Sequence, residues 1–146
     1  MKSRMRNPAM ILPDVMAPMQ ALGKVTETAL PEKLRGLVHM RASQLNGCAF
    51  CLELHTKSHT DETPQRMLTV AAWRDSPFFT DAERAALALT EAITLIAEDG
   101  VPDDVWDEAK RHFDERQLAA LVLHATLVNV WNRVNVATRQ VAGTGW

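Results

Sequence analysis

The chain contains two cysteines, three residues apart in Cys48-Ala49-Phe50-Cys51, and His55 follows four residues after the second. Two thiols at that spacing can close a disulfide or share a redox reaction. On a helix, Cys51 and His55 are i and i+4 neighbours and lie side by side. An imidazole, with an ordinary pKa of about 6.5, can take a proton from a thiol near neutral pH. Cys48 falls just after Asn46-Gly47, at the start of that helix. Unpaired amides and the helix dipole there favour its thiolate.

Other chemistries fit less well. His59 continues the row, and on one helix Cys48, Cys51, His55 and His59 share an arc of roughly 80°. Along a continuous helix, however, Cys48 and His59 are about 16 Å apart. Zinc needs every ligand within about 2.0–2.3 Å of one point. No metal is therefore assigned, and His59 reads as a solvated residue beside Thr60 and Asp61. Haem attachment needs histidine directly after the second cysteine, where this chain has Leu52. The plainest alternative makes the cysteines small core residues and His55 a surface side chain.

The elements that must position these residues read as helices. The first is expected from Pro13 to Ala29, with Pro18 either kinking it or delaying its start. Pro31 opens a second, reaching about Leu45. The Asn46-Gly47 break precedes a third, from near Cys48 to about Thr60. Pro64 opens a short one reaching Trp73. Thr80 and Glu83 form a capping box for a helix ending near Gly100. A short helix follows Pro102. Asp114 and Gln117 cap the longest, expected from Glu115 to Val141. Strand signals are weak. The fold class is all-α, a single helical domain over 1–146 with about six to eight helices and a core motif near 32–60.

Between Leu118 and Trp131 only His124, Thr126 and Asn129 are polar. A helix this apolar is central to the core or buried in a subunit contact. Both are expected, hence a homo-oligomer. Met1, Met5, Met10, Met16 and Met19 suggest a packing arm at such a contact. Asn129, Asn132 and Arg133 are expected to hydrogen-bond across it. Trp73, Trp106, Trp131 and Trp146 read as core or interface residues. His112 and His124 have no nearby acidic or cysteine partner in sequence.

A formal net charge of −2, with no basic tract, gives no grip on nucleic acid or an anionic membrane. No segment offers the ~20 apolar residues that span a bilayer. No apolar run of signal-peptide length follows Lys2, Arg4 and Arg6. The expected location is the cytoplasm. In that reducing compartment, paired cysteines are more often catalytic or metal-binding than structural. No glycine-rich phosphate loop appears, so no cofactor is assigned.

The segment Arg41-Ala42-Ser43-Gln44-Leu45-Asn46-Gly47-Cys48-Ala49-Phe50-Cys51, with His55 beyond it, resembles the core motif of the alkylhydroperoxidase D-like proteins, members of the carboxymuconolactone decarboxylase superfamily. Residues 80–92 and 129–136 resemble the same family, and the likeness runs from about Pro13 to Arg139. The resemblance implies an all-α fold assembling into dimers, trimers or hexamers. It implies a thiol peroxidase or disulfide reductase with Cys48, Cys51 and His55 in the catalytic positions. One cysteine would attack a peroxide, the other would resolve the sulfenic acid, and a dithiol donor such as a lipoyl group would reduce the disulfide. Cys51, beside His55, is expected to attack, and Cys48 to resolve.

The family's proton relay usually includes a glutamate twelve residues before the first cysteine, and here that position is Gly36. A glycine cannot relay a proton. Glu32 and His39 flank it on the same helix face, and Glu83 can approach from another helix, so these three are the candidate replacements. Two other functions remain open: a decarboxylase or lactone-processing enzyme of the same superfamily, and a non-catalytic redox-sensing module.

Overall fold

Capping residues and prolines set most helix starts in the computed structural model, which describes residues 1–58 and 62–144. Helix α1 (Pro8–Ile11) begins where the Asn7 side chain accepts the Ala9 N–H. Helix α2 (Pro13–Glu27) runs through Pro18, so that residue does not delay its start. Helix α3 (Glu32–Leu45) follows Pro31, and α4 (Ala49–Ser58) follows Cys48. Helix α5 (Pro64–Thr69) is capped by Thr63 and passes into a 3-10 turn at Val70–Ala72. Helices α6 (Asp81–Thr94) and α8 (Glu115–Thr138) both start at the expected capping boxes, and α7 (Asp103–His112) follows Pro102.

Among the described residues there are eight α-helices and no strand beyond an isolated bridge between Ala97 and Gly100. The all-α expectation holds. Helix α6 stops at Thr94, short of Gly100, because the chain turns to form that bridge with Gly100 at φ +74°. Helix α8 stops at Thr138, since Arg139 takes a left-handed conformation that cannot continue it. The expected end of α4 at Thr60, together with His59, Asp61 and Trp146, lies outside the described residues.

Helix α3 buries two faces. Leu34 and Val38 pack with Ala85, Leu89, Leu118, Leu121 and Ala125 of α6 and α8. Leu37 and Met40 pack with Val70, Trp73, Phe79 and Leu87. The disulfide region forms a third cluster, in which Phe50 and Leu54 pack against Cys48 and Cys51. Trp73 is thus a core residue, while Trp106 is exposed.

The buried stripe of α8 changes character along its length. Leu118, Leu121 and Ala125 give way to Asn129, Asn132 and Asn135. These amides find their partners within the chain. Asn46 Nδ2 donates to Asn129 Oδ1 and Asn132 Oδ1, each at 2.9 Å. Asn132 Nδ2 donates to Ser43 Oγ at 3.0 Å, and Asn129 Nδ2 to Thr94 Oγ1 at 2.9 Å. Arg133 also donates to Asn129 Oδ1. Buried amides without such partners would each cost about 1–3 kcal/mol.

The N-terminal arm packs on the C-terminal end of α8 of its own chain. The Arg4 N–H donates to the Thr138 carbonyl at 2.9 Å, and Gln140 Nε2 to the Met5 carbonyl at 3.1 Å. On the outer side of α8, Leu123 and Val130 are exposed. No helix among the described residues is long and apolar enough to cross a membrane.

Candidate active site

Asn46-Gly47 places the first cysteine. Gly47 has φ +64°, its N–H bonds the Gln44 carbonyl at 3.2 Å, and the Cys48 N–H bonds the Ser43 carbonyl at 3.0 Å. Those two bonds close α3. The Cys48 carbonyl then accepts the Leu52 N–H at 3.0 Å, the first bond of α4. Cys48 therefore finishes one helix and caps the next.

Cys48 and Cys51 form a disulfide, with their Cα atoms 5.3 Å apart, and both residues are buried. The Cys51 N–H points at the Cys48 sulfur, at 3.3 Å. Asn135 of α8 donates its Nδ2 to the Cys51 sulfur at 3.4 Å, and its Oδ1 accepts Asn7 Nδ2 at 2.8 Å. Sequence reasoning missed Asn135, because a contact across 84 positions leaves no local spacing signal.

His55, one turn beyond Cys51, is 3% exposed rather than on the surface. Its Nδ1 lies 2.8 Å from Nδ1 of His39, and the two rings meet edge to face with centroids 4.5 Å apart. An N–H···N bond requires one ring to donate and the other to accept. The pair can take up one extra proton and keep this bond; a second would set two donors against each other.

The other two relay candidates are placed differently. Glu83 is the reciprocal partner in the α6 capping box and pairs with Arg66 at 2.6 Å. Burial alone would raise its pKa, but hydrogen bonds from Arg66 and the Thr80 N–H outweigh that and hold it below the usual carboxylate value. A carboxylate so held is a poor proton carrier near neutral pH. Glu32 lies on the exposed first turn of α3, seven residues before His39.

Two cavities border the site. One, of about 420 Å³, is lined by Gly47, Cys48, Phe50, Asn135, Arg139 and Gln140 among others. The second, of about 190 Å³, is lined by Arg35, His39, His55, His124, Leu127 and Trp131 among others. His124 is fixed there by Thr26 Oγ1 and the Arg35 carbonyl, each at 3.2 Å. His112, expected to lack an acidic partner, pairs with Glu108 one turn before it on α7 at 3.0 Å. No group of acidic, histidine and cysteine residues among the described residues is arranged to hold a metal.

Beside the site, Glu91 accepts hydrogen bonds from Arg41 Nε at 2.7 Å and Trp73 Nε1 at 2.8 Å, and pairs with Arg74 at 2.7 Å. Burial would raise its pKa, but these three donors together lower it. Arg41 opens the segment that leads into the cysteine motif, so this cluster anchors α3 to α6.

Relatives carry the same architecture. Residues 13–92 match the carboxymuconolactone decarboxylase family. The uncharacterized protein YdfG of Bacillus subtilis (strain 168) is 39% identical over 130 residues, covering 87% of this chain and 88% of its own. The crystal structure of a protein of unknown function from Agrobacterium tumefaciens, described as a candidate antioxidant defence protein AhpD, superposes with a TM-score of 0.90. The two are 34% identical, and the match covers 98% of this chain and 99% of that one. The debrominase Bmp8 shares the fold, with a TM-score of 0.78 at 23% identity over 90% of this chain and 72% of its own. Matched over more than half its length by the family profile, and over nearly all of it by an AhpD-type structure, the chain belongs to the carboxymuconolactone decarboxylase family as an AhpD-like member.

Proposed function

We propose that the protein is a thiol-dependent peroxidase that cycles Cys48 and Cys51 between dithiol and disulfide. The observation that carries this reading is the buried disulfide at the head of α4, with His55 one turn beyond and hydrogen-bonded to His39. In the reduced protein His55 takes the Cys51 proton and shares it with His39. The Cys51 thiolate, held by the Asn135 amide, attacks the distal peroxide oxygen. The O–O bond breaks, an alcohol leaves after protonation, and Cys51 becomes a sulfenic acid. Cys48 then attacks that sulfur, water leaves, and the disulfide forms. A dithiol donor such as a lipoyl group returns two electrons. The cycle uses neither metal nor cofactor.

His39 replaces the family glutamate in this scheme. It follows Gly36 by one turn on α3, and its 2.8 Å bond to His55 supports the assignment. A reducing compartment such as the cytoplasm suits a cycle that needs a thiol donor. The exposed Leu123 and Val130 on α8 support a homo-oligomer joined through that helix.

The test is thiol titration of the reduced protein before and after one equivalent of an organic hydroperoxide, with peptide mapping. Loss of two thiols per chain into a Cys48–Cys51 disulfide, with alcohol released, is expected. Unchanged thiols would sink the reading. Lactone or decarboxylase activity surviving Cys48→Ser and Cys51→Ser would replace it with the superfamily's ring chemistry, and a reversible disulfide without peroxide turnover would make the protein a redox sensor.

A further inference from the structure

Helices α3 and α8 end in the same backbone motif, and both ends border the cavity at Cys48. Gly47 closes α3 at φ +64°. Arg139 closes α8 at φ 55° and ψ 48°; its N–H bonds the Val136 carbonyl at 3.1 Å, and the Gln140 N–H bonds the Asn135 carbonyl at 2.9 Å. This position favours glycine, because an L side chain crowds the following carbonyl. Among the described residues, Arg139 is the one non-glycine at positive φ. The helix end thus carries a side chain that its backbone disfavours. That side chain is a cation on the rim of the cavity, exposed, with no hydrogen-bond or ion-pair partner for its guanidinium among the described residues.

The pair is oxidised in this structure, and the reagent that an S–S bond meets in a reductive cycle is a thiolate. Cys48 borders the cavity, and Cys51 is not among its lining residues. Ala49, Phe50 and Val136 give the cavity apolar walls that suit a hydrocarbon chain. We propose that Arg139 is a specificity-determining residue that draws a carboxylate-bearing thiol reductant into this cavity, its sulfur directed at Cys48. The proposal rests on the dithiol cycle above.

The step balances as thiol exchange. The reductant's thiolate bonds to the Cys48 sulfur, the Cys48–Cys51 bond breaks, and Cys51 leaves as a thiolate at the Asn135 amide. A second thiol of the reductant attacks the mixed disulfide and frees Cys48. Two electrons pass to the protein, and the reductant departs as its own disulfide.

The experiment reduces the oxidised protein, without peroxide, using dihydrolipoate and dihydrolipoamide, the same dithiol with and without a negative charge. We expect the carboxylate form to react up to about fivefold faster, as suits an exposed ion pair. That preference should shrink as ionic strength rises. It should fall to near one in Arg139→Gly and return in part in Arg139→Lys. Arg139→Gly also relieves the backbone, so its Tm should equal or exceed that of the wild type. An equal rate ratio in wild type and Arg139→Gly would overturn the proposal, and so would a lower Tm in Arg139→Gly. Peroxide turnover is measured separately. A protein that keeps the charge preference yet consumes no organic hydroperoxide sinks the peroxidase reading and leaves this inference standing. A disulfide that neither dithiol reduces sinks both.

Discussion

His39 and His55 share a 2.8 Å Nδ1···Nδ1 hydrogen bond between helices α3 and α4. A proton leaving Cys51 for His55 therefore has a second imidazole to pass to, and that ring borders the cavity shared with Arg35 and His124.

Replacing His39 separates proton transfer from ring orientation. His39→Ala is expected to slow sulfenic acid formation by about 10²-fold, the lower end for a positioned acid–base group. His39→Gln can still hydrogen-bond His55 but cannot carry the proton, so it should be nearly as slow at neutral pH. Stopped-flow rates of peroxide consumption across pH check this. Full activity in His39→Gln would reduce His39 to an orienting group.

Asn135 touches the Cys51 sulfur and also satisfies Asn7. Asn135→Ala leaves the buried Asn7 amide without its acceptor, a loss of about 1–3 kcal/mol that urea denaturation would measure. Reaction of Cys51 with peroxide should slow by roughly 10-fold, given the value of a hydrogen bond to a charged group. A large stability loss with an unchanged rate would confine Asn135 to packing.

Glu91 links α6 to Arg41 and Arg74. Its carboxylate titrates lower in the folded chain than its ordinary value of 4.5, so its stabilisation is present above about that pH and is lost as pH falls through the folded value. Glu91→Gln should lose about 1–2 kcal/mol at pH 7, since the carboxylate is half-buried and Arg74 is exposed. The gap from wild type should narrow below about pH 4.5. Urea midpoints at pH 7 and pH 3.5 test the sign, and a gap that widens in acid would contradict it.

Gly47 has open space where a Cβ would stand, yet φ is +64°. Gly47→Ala should therefore cost about 1–2 kcal/mol through the backbone alone. Thermal unfolding would show it, and an unchanged Tm would mean that the turn at Cys48 tolerates a side chain.

The local features were legible in the sequence. Thr80 with Glu83 and Asp114 with Gln117 announced two helix starts, because a capping box needs only residues three apart. The break at Asn46-Gly47 placed Cys48 ahead of α4 for the same reason. Helix α1 was missed; it is four residues long and too short to show periodicity. The partner of His55 was one of three candidates, since spacing along α3 cannot say which of its turns meets α4 or whether α6 brings Glu83 there. The partners of the α8 amides were not legible, because nothing along that helix records that Ser43, Asn46 and Thr94 come to meet them.

That row of amides also acts as a ruler. Sliding α8 by one turn would set Val128 or Val136 against Ser43 and strand the donors and acceptors of Asn46, a mismatch no apolar packing could absorb. The longitudinal setting of the helix is locked, so the Asn135 amide is held at the Cys51 sulfur.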